Sequence, residues 1–391
     1  MIQILDKKAC CGCNACVQIC PQQCIEMTAD EQGFLYPKVQ QEACIHCGLC
    51  EAVCPVIHPK PSRTPLGVYA AKCKKERIRL QSSSGGIFTL LAEKTIQDGG
   101  VVFGVRFNQQ WEAVHDYTET IEGLAAFRGS KYVQSRVGNS FQQARSFLTE
   151  GRQVLFSGTP CQIAGLKNFL RKAYSNLCTV DIVCHGVPSP MIWKMYLTKI
   201  TATEEKKMAA ITHITFRDKS MGWRNYHLCM EKEKTATAAE ILLNQPNSIN
   251  LYLKGFIQNL YLRPSCSSCP TRGLSSGSDL TIADYWGIDK IAPQLDDDKG
   301  TSLVMLHTDK IKIEQLDAEW QKTDYSSCLP FNPAIVQSDA LHKKSELFYR
   351  EVTTDNLLEL IERYTKTTRS DKVIAQLKRK LKSLLHGKRK L

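Results

Sequence analysis

The pattern Cys-x-x-Cys-x-x-Cys-x-x-x-Cys-Pro occurs twice before residue 56, as Cys10, Cys13, Cys16, Cys20-Pro21 and as Cys44, Cys47, Cys50, Cys54-Pro55. Few sequence features constrain a chain more. Three closely spaced thiolates can hold three corners of a [4Fe–4S] cube, and in a paired arrangement the fourth Cys serves the other cube. Two copies in one short segment close that exchange. The expected sets are Cys10, Cys13, Cys16 and Cys54 for one cluster, and Cys44, Cys47, Cys50 and Cys20 for the other. Zinc is the rival ion, but it normally takes two Cys pairs rather than a three-plus-one set. The spacing therefore points to iron–sulfur centres and to single-electron transfer.

At 391 residues with 43% hydrophobic content, the chain suits two or three domains, each with an ordinary core. Met1 to Lys8 has no signal-peptide character, and no stretch reaches the apolar length of a membrane span. A reducing, cytoplasmic setting is expected, in which the eighteen Cys act as ligands and free thiols rather than disulfides. The net charge of +12 is uneven: Asp371 to Leu391 holds eight Lys or Arg against one acid, a net +7. Val373, Ile374, Leu377, Leu381, Leu384 and Leu385 give that tail a helical apolar stripe. It reads first as a solvated helix, with peripheral membrane contact as the sharper alternative. No nucleic-acid reader motif accompanies the charge, so no nucleic-acid partner is expected.

Beyond a Pro-rich connector at 58–66, strand and helix patterns alternate. Helices are expected from Ile87 to Gln97, Phe141 to Thr149 and Cys161 to Leu170, and strands at Val101 to Phe107, Gln153 to Ser157 and Leu177 to Val183. Such alternation implies a partly parallel α/β domain. Residues 201–240 turn polar, with β-like pieces at Ile211 to Phe216 and Asn225 to Met230, as an insertion or peripheral sheet would. Leu341 to Thr365 reads as two helices broken at Thr353-Thr354-Asp355, which suit an N-cap.

Two loops have the makings of ligand sites. Ser82-Ser83-Ser84-Gly85-Gly86 is small and precedes a helix, so its backbone can approach an anion beside the helix's positive end. Ser157 to Gln162 forms a turn at the carboxyl end of a strand, where α/β sheets bind ligands. Cys266-x-x-Cys269 leaves several readings open. A zinc ribbon lacks its second pair, a redox dithiol lacks a strand–helix setting, and a third [4Fe–4S] cluster would recruit Cys161 and Cys184. Cys11, Cys24, Cys73, Cys178, Cys229 and Cys328 read as buried thiols. Trp223 and Trp286 read as core residues, and Asp296-Asp297-Asp298 as a solvated turn. His46 either tunes a cluster or faces solvent, and His185 either donates to a cluster sulfur or does not.

An ordered set of pieces carries a resemblance: Ser84-Gly85-Gly86, Gly129-Ser130-Lys131-Tyr132, Ser157 to Gln162, Asp181 to Ser189, Cys266-x-x-Cys269 and Asp279 to Gly287. Together they resemble the beta-subunit family of coenzyme F420-reducing hydrogenase, set behind a bacterial-type ferredoxin domain. Formate dehydrogenase beta subunits and plant hydroxymethyl chlorophyll reductase are relatives. The resemblance implies a 2x[4Fe–4S] ferredoxin-type domain at 1–57, a linker at 58–66, a mixed α/β FAD domain at 67–340 and a helical C-terminus at 341–391. It makes Cys161, Cys184, Cys266 and Cys269 the ligands of a third [4Fe–4S] cluster. It makes Ser84, Gly85 and Gly86 contacts of the FAD pyrophosphate, and Lys131, Tyr132, Thr159 and Asp284 flavin contacts.

The function so implied is an iron–sulfur flavoprotein oxidoreductase that joins clusters to an organic substrate through FAD. Coenzyme F420 is the first candidate substrate. The alternatives are a ferredoxin-fed reductase of another organic molecule, such as a polysaccharide precursor, and a relay subunit docking a redox partner protein. No hydrolytic triad or carboxylate pair is present to argue otherwise.

Overall fold

The computed structural model describes residues 1–202, 211–235 and 238–366. The basic amphipathic tail lies outside them. Strands β1 (Ile25–Ala29) and β2 (Leu35–Val39) form an antiparallel hairpin in the N-terminal segment. Around it the two Cys runs repeat one backbone shape. Gly12 and His46 occupy matching positions with φ +71 and +53, and Asn14 and Gly48 follow with φ +66 and +74. Such left-handed residues curl a loop so that successive N–H groups face inward. Each loop then enters a short helix, Ala15–Ile19 or Leu49–Ala52.

The main body is an eight-stranded sheet. Its strands are β3 (Gly67–Cys73), β4 (Val101–Phe107), β5 (Ala113–Thr118), β6 (Val154–Gly158), β7 (Leu177–Ile182), and, after an intervening sheet, β11 (Leu280–Asp284), β12 (Ser302–Leu306) and β13 (Ala318–Thr323). The order is β13-β3-β12-β11-β7-β6-β4-β5. The four inner strands β4, β6, β7 and β11 run parallel, and the flanking strands are antiparallel. Their apolar runs suit burial on both faces. Val101, Phe103, Val154 and Phe156 face one core with the helices Ser140–Thr149 and Pro160–Leu170. Val102, Leu155 and Val180 face the opposite core with helix Ile87–Gln97.

The polar stretch after residue 201 supplies a separate antiparallel sheet of β8 (Ile211–Asp218), β9 (His227–Thr235) and β10 (Ala238–Pro246). Near the end of the described chain, helices Ser345–Glu351 and Leu357–Thr365 flank a break. Thr353 of the Thr353-Thr354-Asp355 run does cap the break: its hydroxyl accepts from the Asn356 amide at 3.4 Å, and Asn356 Oδ1 accepts in return from the Thr353 amide at 2.8 Å. Among the described residues no helix is long and apolar enough to cross a membrane.

Gly85 shows how tightly the Ser/Gly loop is pressed onto the sheet. A Cβ there would meet the Ala71 carbonyl oxygen at 2.3 Å and the Ser302 nitrogen at 2.7 Å. Both are backbone atoms of the sheet and cannot swing away. Gly85→Ala is therefore expected to destabilise the protein by about 2 kcal/mol through overpacking, read as a lowered anaerobic melting temperature. An unchanged melting temperature would mean that the loop stands off the strands.

Candidate functional site

Parallel strands deliver their carboxyl ends to one side, where the helix that follows β6 carries Cys161 in its first turn and the loop leaving β7 carries Cys184. The turn Pro264–Ser268 brings Cys266, and Cys269 follows it. Cys161, Cys184, Cys266 and Cys269 line one cavity. Thr159 caps the helix that carries Cys161: its N–H donates to Gln162 Oε1 at 2.9 Å, and its hydroxyl lies 3.2 Å from Cys161 Sγ. Thr271 Oγ1 stands 3.2 Å from Cys269 Sγ. Arg272 ties the loops together. Its guanidinium donates to the Cys184 and Ala334 carbonyls, to the His185 carbonyl at 3.1 Å and to Ser338 Oγ at 3.2 Å. His185 itself packs edge-on to Phe256, with ring centroids 5.1 Å apart.

Burial pushes the thiols at this cavity upward. Cys266 reaches about 12, chiefly by desolvation with Cys161 and Cys269 adding to it. Desolvation likewise raises Cys184, with Cys266 the next contributor. A protein interior that crowds thiols disfavours several bare thiolates at once, and a cationic metal core relieves that cost. Among the described residues no three His, Cys, Asp or Glu side chains converge on the point that a single ion would occupy.

In the N-terminal segment, Cys20, Cys44, Cys47 and Cys50 line a second, smaller cavity with His46. Cys24 joins them, its sulfur 3.5 Å from that of Cys20. On the other side, burial and then the nearby Cys10 and Cys54 push the Cys16 thiol to about 12. Cys73, Cys229 and Cys328 are buried thiols, whereas Cys178 is only half-buried. Cys11 is buried but not inert in position. Its thiol neighbours those of Cys13 and Cys161, and it lines the same cavity as Cys161. Spacing alone gave no hint of that position, since Cys11 falls outside the repeat.

A second constellation forms where the Ser/Gly loop meets the β11 end. Arg217, with a side chain 3% exposed, donates to Asp284 Oδ2 at 2.9 Å, the Ser83 carbonyl at 3.3 Å and the Tyr132 hydroxyl at 3.3 Å. Its guanidinium also lies 4.0 Å from the Tyr226 ring centroid. Trp223 Nε1 donates to Asp284 Oδ1 at 3.1 Å, and Trp223 stacks on Trp286 at 4.8 Å. Ser83 and Ser130 join hydroxyls at 2.9 Å, linking the Ser/Gly loop to the Gly129–Tyr132 loop. Thus the Ser/Gly loop, through Ser83, joins Tyr132 and Asp284 in one network, and the residue that joins it was hidden in the polar stretch after 201.

Ser84 and Gly85 are held from behind. Ser84 Oγ donates to the Thr301 carbonyl at 2.8 Å, and the Gly85 amide donates to Ser302 Oγ at 2.9 Å. Lys219 donates to the carbonyls of Ser84, Arg79 and Lys299, all at 2.8 Å. Gly86 opens helix Ile87–Gln97 with φ +86 and no side-chain cap. Lys131 is turned onto its own loop, donating to the carbonyls of Arg128 at 2.8 Å, Ala126 at 2.9 Å and Gly129 at 3.2 Å. Burial pushes both ammonium groups down to about 7. The Asp296–Asp298 segment is more than a solvated turn. Asp297 receives the buried Arg79 guanidinium, and Asp296 and Asp298 receive Arg224.

The twofold Cys repeat and its matching loop geometry are those of an iron–sulfur redox protein. Residues 9–57 match the 4Fe-4S dicluster domain family. Residues 68–141 match the N-terminal part, and residues 151–322 the C-terminal part, of the coenzyme F420 hydrogenase/dehydrogenase beta subunit. The chain belongs to the coenzyme F420 hydrogenase/dehydrogenase beta-subunit family, with a dicluster domain ahead of it. The F420-reducing [NiFe] hydrogenase complex from Methanosarcina barkeri is similar at 13% identity and a TM-score of 0.43, covering 77% of this chain and 91% of that one. No curated protein sequence matches the chain.

Asp284→Asn would leave the Arg217 charge buried without its carboxylate. The expected loss is about 3 kcal/mol, measured as a drop in anaerobic melting temperature. Replacing both partners, Arg217→Met with Asp284→Leu, is expected to cost less than Asp284→Asn alone, because neither charge remains. Equal losses would mean that shape rather than charge governs this network.

Proposed function

We propose that the chain is an iron–sulfur flavoprotein oxidoreductase that passes electrons between [4Fe–4S] clusters and an organic substrate through FAD. The observation that carries this reading is the convergence of Cys161, Cys184, Cys266 and Cys269 on one cavity that also meets Cys11. Four thiols from separated segments match the donor number of one [4Fe–4S] cluster. Thr159 and Thr271 lie within hydrogen-bond reach of two of those sulfurs, and such bonds adjust cluster potential. Cys11 lines this cavity and stands two residues before Cys13 of the first N-terminal set, so clusters held at the two places would be neighbours.

The second constellation suits FAD in its anion-binding part. Gly86 leaves the first amides of helix Ile87–Gln97 without a side-chain cap, which favours an anion such as a pyrophosphate. Ser84 and Gly85 fix the loop in place, and Arg217, held by Asp284 and Tyr132, contributes positive charge beside it. Lys131 shapes the neighbouring loop through its carbonyl contacts. Thr159 stands on the cluster side, next to Cys161. FAD, when bound, supplies the exchange between single electrons and a hydride equivalent.

Coenzyme F420 is the substrate we favour, on family membership. Anaerobic assays with F420 and with reduced ferredoxin as donors separate this from a ferredoxin-fed reductase of another molecule. Turnover with ferredoxin and none with F420 selects the latter. Cys161→Ser or Cys269→Ser is expected to lower iron by about four atoms per chain with the flavin retained. Unchanged iron removes the third cluster, and a wild type purified anaerobically without flavin leaves an electron relay.

A further inference from the structure

We propose that Arg263 sets the reduction potential of the cluster that Cys10, Cys13, Cys16 and Cys54 hold, by supplying its buried positive charge. The proposal rests on that four-Cys assignment and goes beyond it to a residue that no motif contains.

Arg263 is fully buried, at 0% exposure. Among the described residues it has no carboxylate within ion-pair reach. Its donors go instead to the Cys10 carbonyl at 2.8 Å, the Leu35 carbonyl at 2.9 Å, Gln134 Oε1 at 3.0 Å and Cys10 Sγ at 3.5 Å. The guanidinium lies 4.3 Å from the Tyr36 ring centroid and 5.5 Å from that of Phe34. Neutral carbonyls and ring faces solvate a cation but do not cancel its charge. An unpaired guanidinium inside a protein is costly, so a permanent anion is needed nearby. Cys10 is the ligand that answers this need. Four thiolates around a [4Fe–4S] core leave a net anion, and Arg263 touches one of its sulfurs.

The consequence has a definite sign. Reduction adds one electron from a one-electron donor to the cluster, breaks no bond and takes up no obligatory proton. The product is more negative by one unit, so a fixed cation beside Cys10 Sγ favours it. Net charge, burial and hydrogen bonds to sulfur are the levers that set such potentials. Arg263 supplies all three. Its own amide donates to the Val187 carbonyl at 2.9 Å, and Val187 lines the cavity of Cys161 and Cys184. The charge thus sits in the wall between two centres, where raising the potential of one changes the drop between them.

The test is an anaerobic dithionite titration of the full chain followed by electron paramagnetic resonance. In Arg263→Gln one cluster signal is expected to need a lower potential, by at least tenfold in its one-electron equilibrium, about 59 mV. Arg263→Lys keeps the charge and is expected to stay within about threefold of wild type. Wild type labelled with guanidino-15N arginine should show 15N coupling to a reduced cluster that disappears in Arg263→Lys. A wild-type potential in Arg263→Gln, an equal drop in both variants, or no such coupling overturns the proposal. If Arg263→Gln fails to load iron, the labelled wild type decides alone. A wild type with no reducible cluster at this site removes the four-Cys assignment, whereas a cluster indifferent to Arg263 removes only the proposal.

Discussion

Parallel pairing fixes where chemistry can occur in this chain. β4, β6, β7 and β11 must finish on the same side, and no loop leaving them can avoid its neighbours. Cys161 and Cys184 reach one cavity because β6 and β7 are adjacent and parallel in register, Gly158 opposite Asp181. Asp284 ends β11, one strand further along, and so meets Arg217 beside the Ser/Gly loop instead. The separation of a cysteine cavity from a charged cradle is therefore a consequence of strand order. A different order of the same strands would scatter both.

Cations, not hydrophobic contacts, hold these loops in shape. Lys219, Lys131, Arg272 and Arg263 each gather two or more backbone carbonyls, and Arg217 gathers one together with the Asp284 carboxylate and the Tyr132 hydroxyl. An irregular loop carries backbone acceptors that no ladder satisfies, and buried acceptors need partners. A long side chain with several donors answers several at once. The cost is a buried charge, and the answers differ. Arg217 has Asp284, Lys219 and Lys131 are driven toward neutrality, and Arg263 has only sulfur.

The regular parts of the fold were legible in the sequence because their signals are local. The helix at 87–97 and the strand at 101–107 fall where apolar period and the Gly99-Gly100 stop put them. Strands β3, β12 and β13 were not legible: β3 and β12 are short apolar runs, which periodicity does not separate from helix. Their place is set by long-range pairing, Ala71 with Ser302 and Cys73 with Ala318. The Ser/Gly loop stood out as a possible anion site for its small residues, yet part of its glycine content has another cause. Gly85 is small because the sheet backbone lies against it, which a sequence alone cannot distinguish from room for a ligand.

The same distinction explains which site residues were missed. Cysteines announce themselves through spacing, since several sulfurs must reach one centre from a short loop. Arg217, Arg272 and Arg263 have no spacing to show, because each acts alone and its partners lie far off in sequence. Arg263 is 253 residues from Cys10. What marks Arg217 and Arg263 is burial, and an arginine without water must have a purpose for its charge or a partner to cancel it. In a protein whose thiols gather in three places, the sulfur of a ligand is the partner that remains. The cation that neutralises it then also determines how readily that centre accepts an electron.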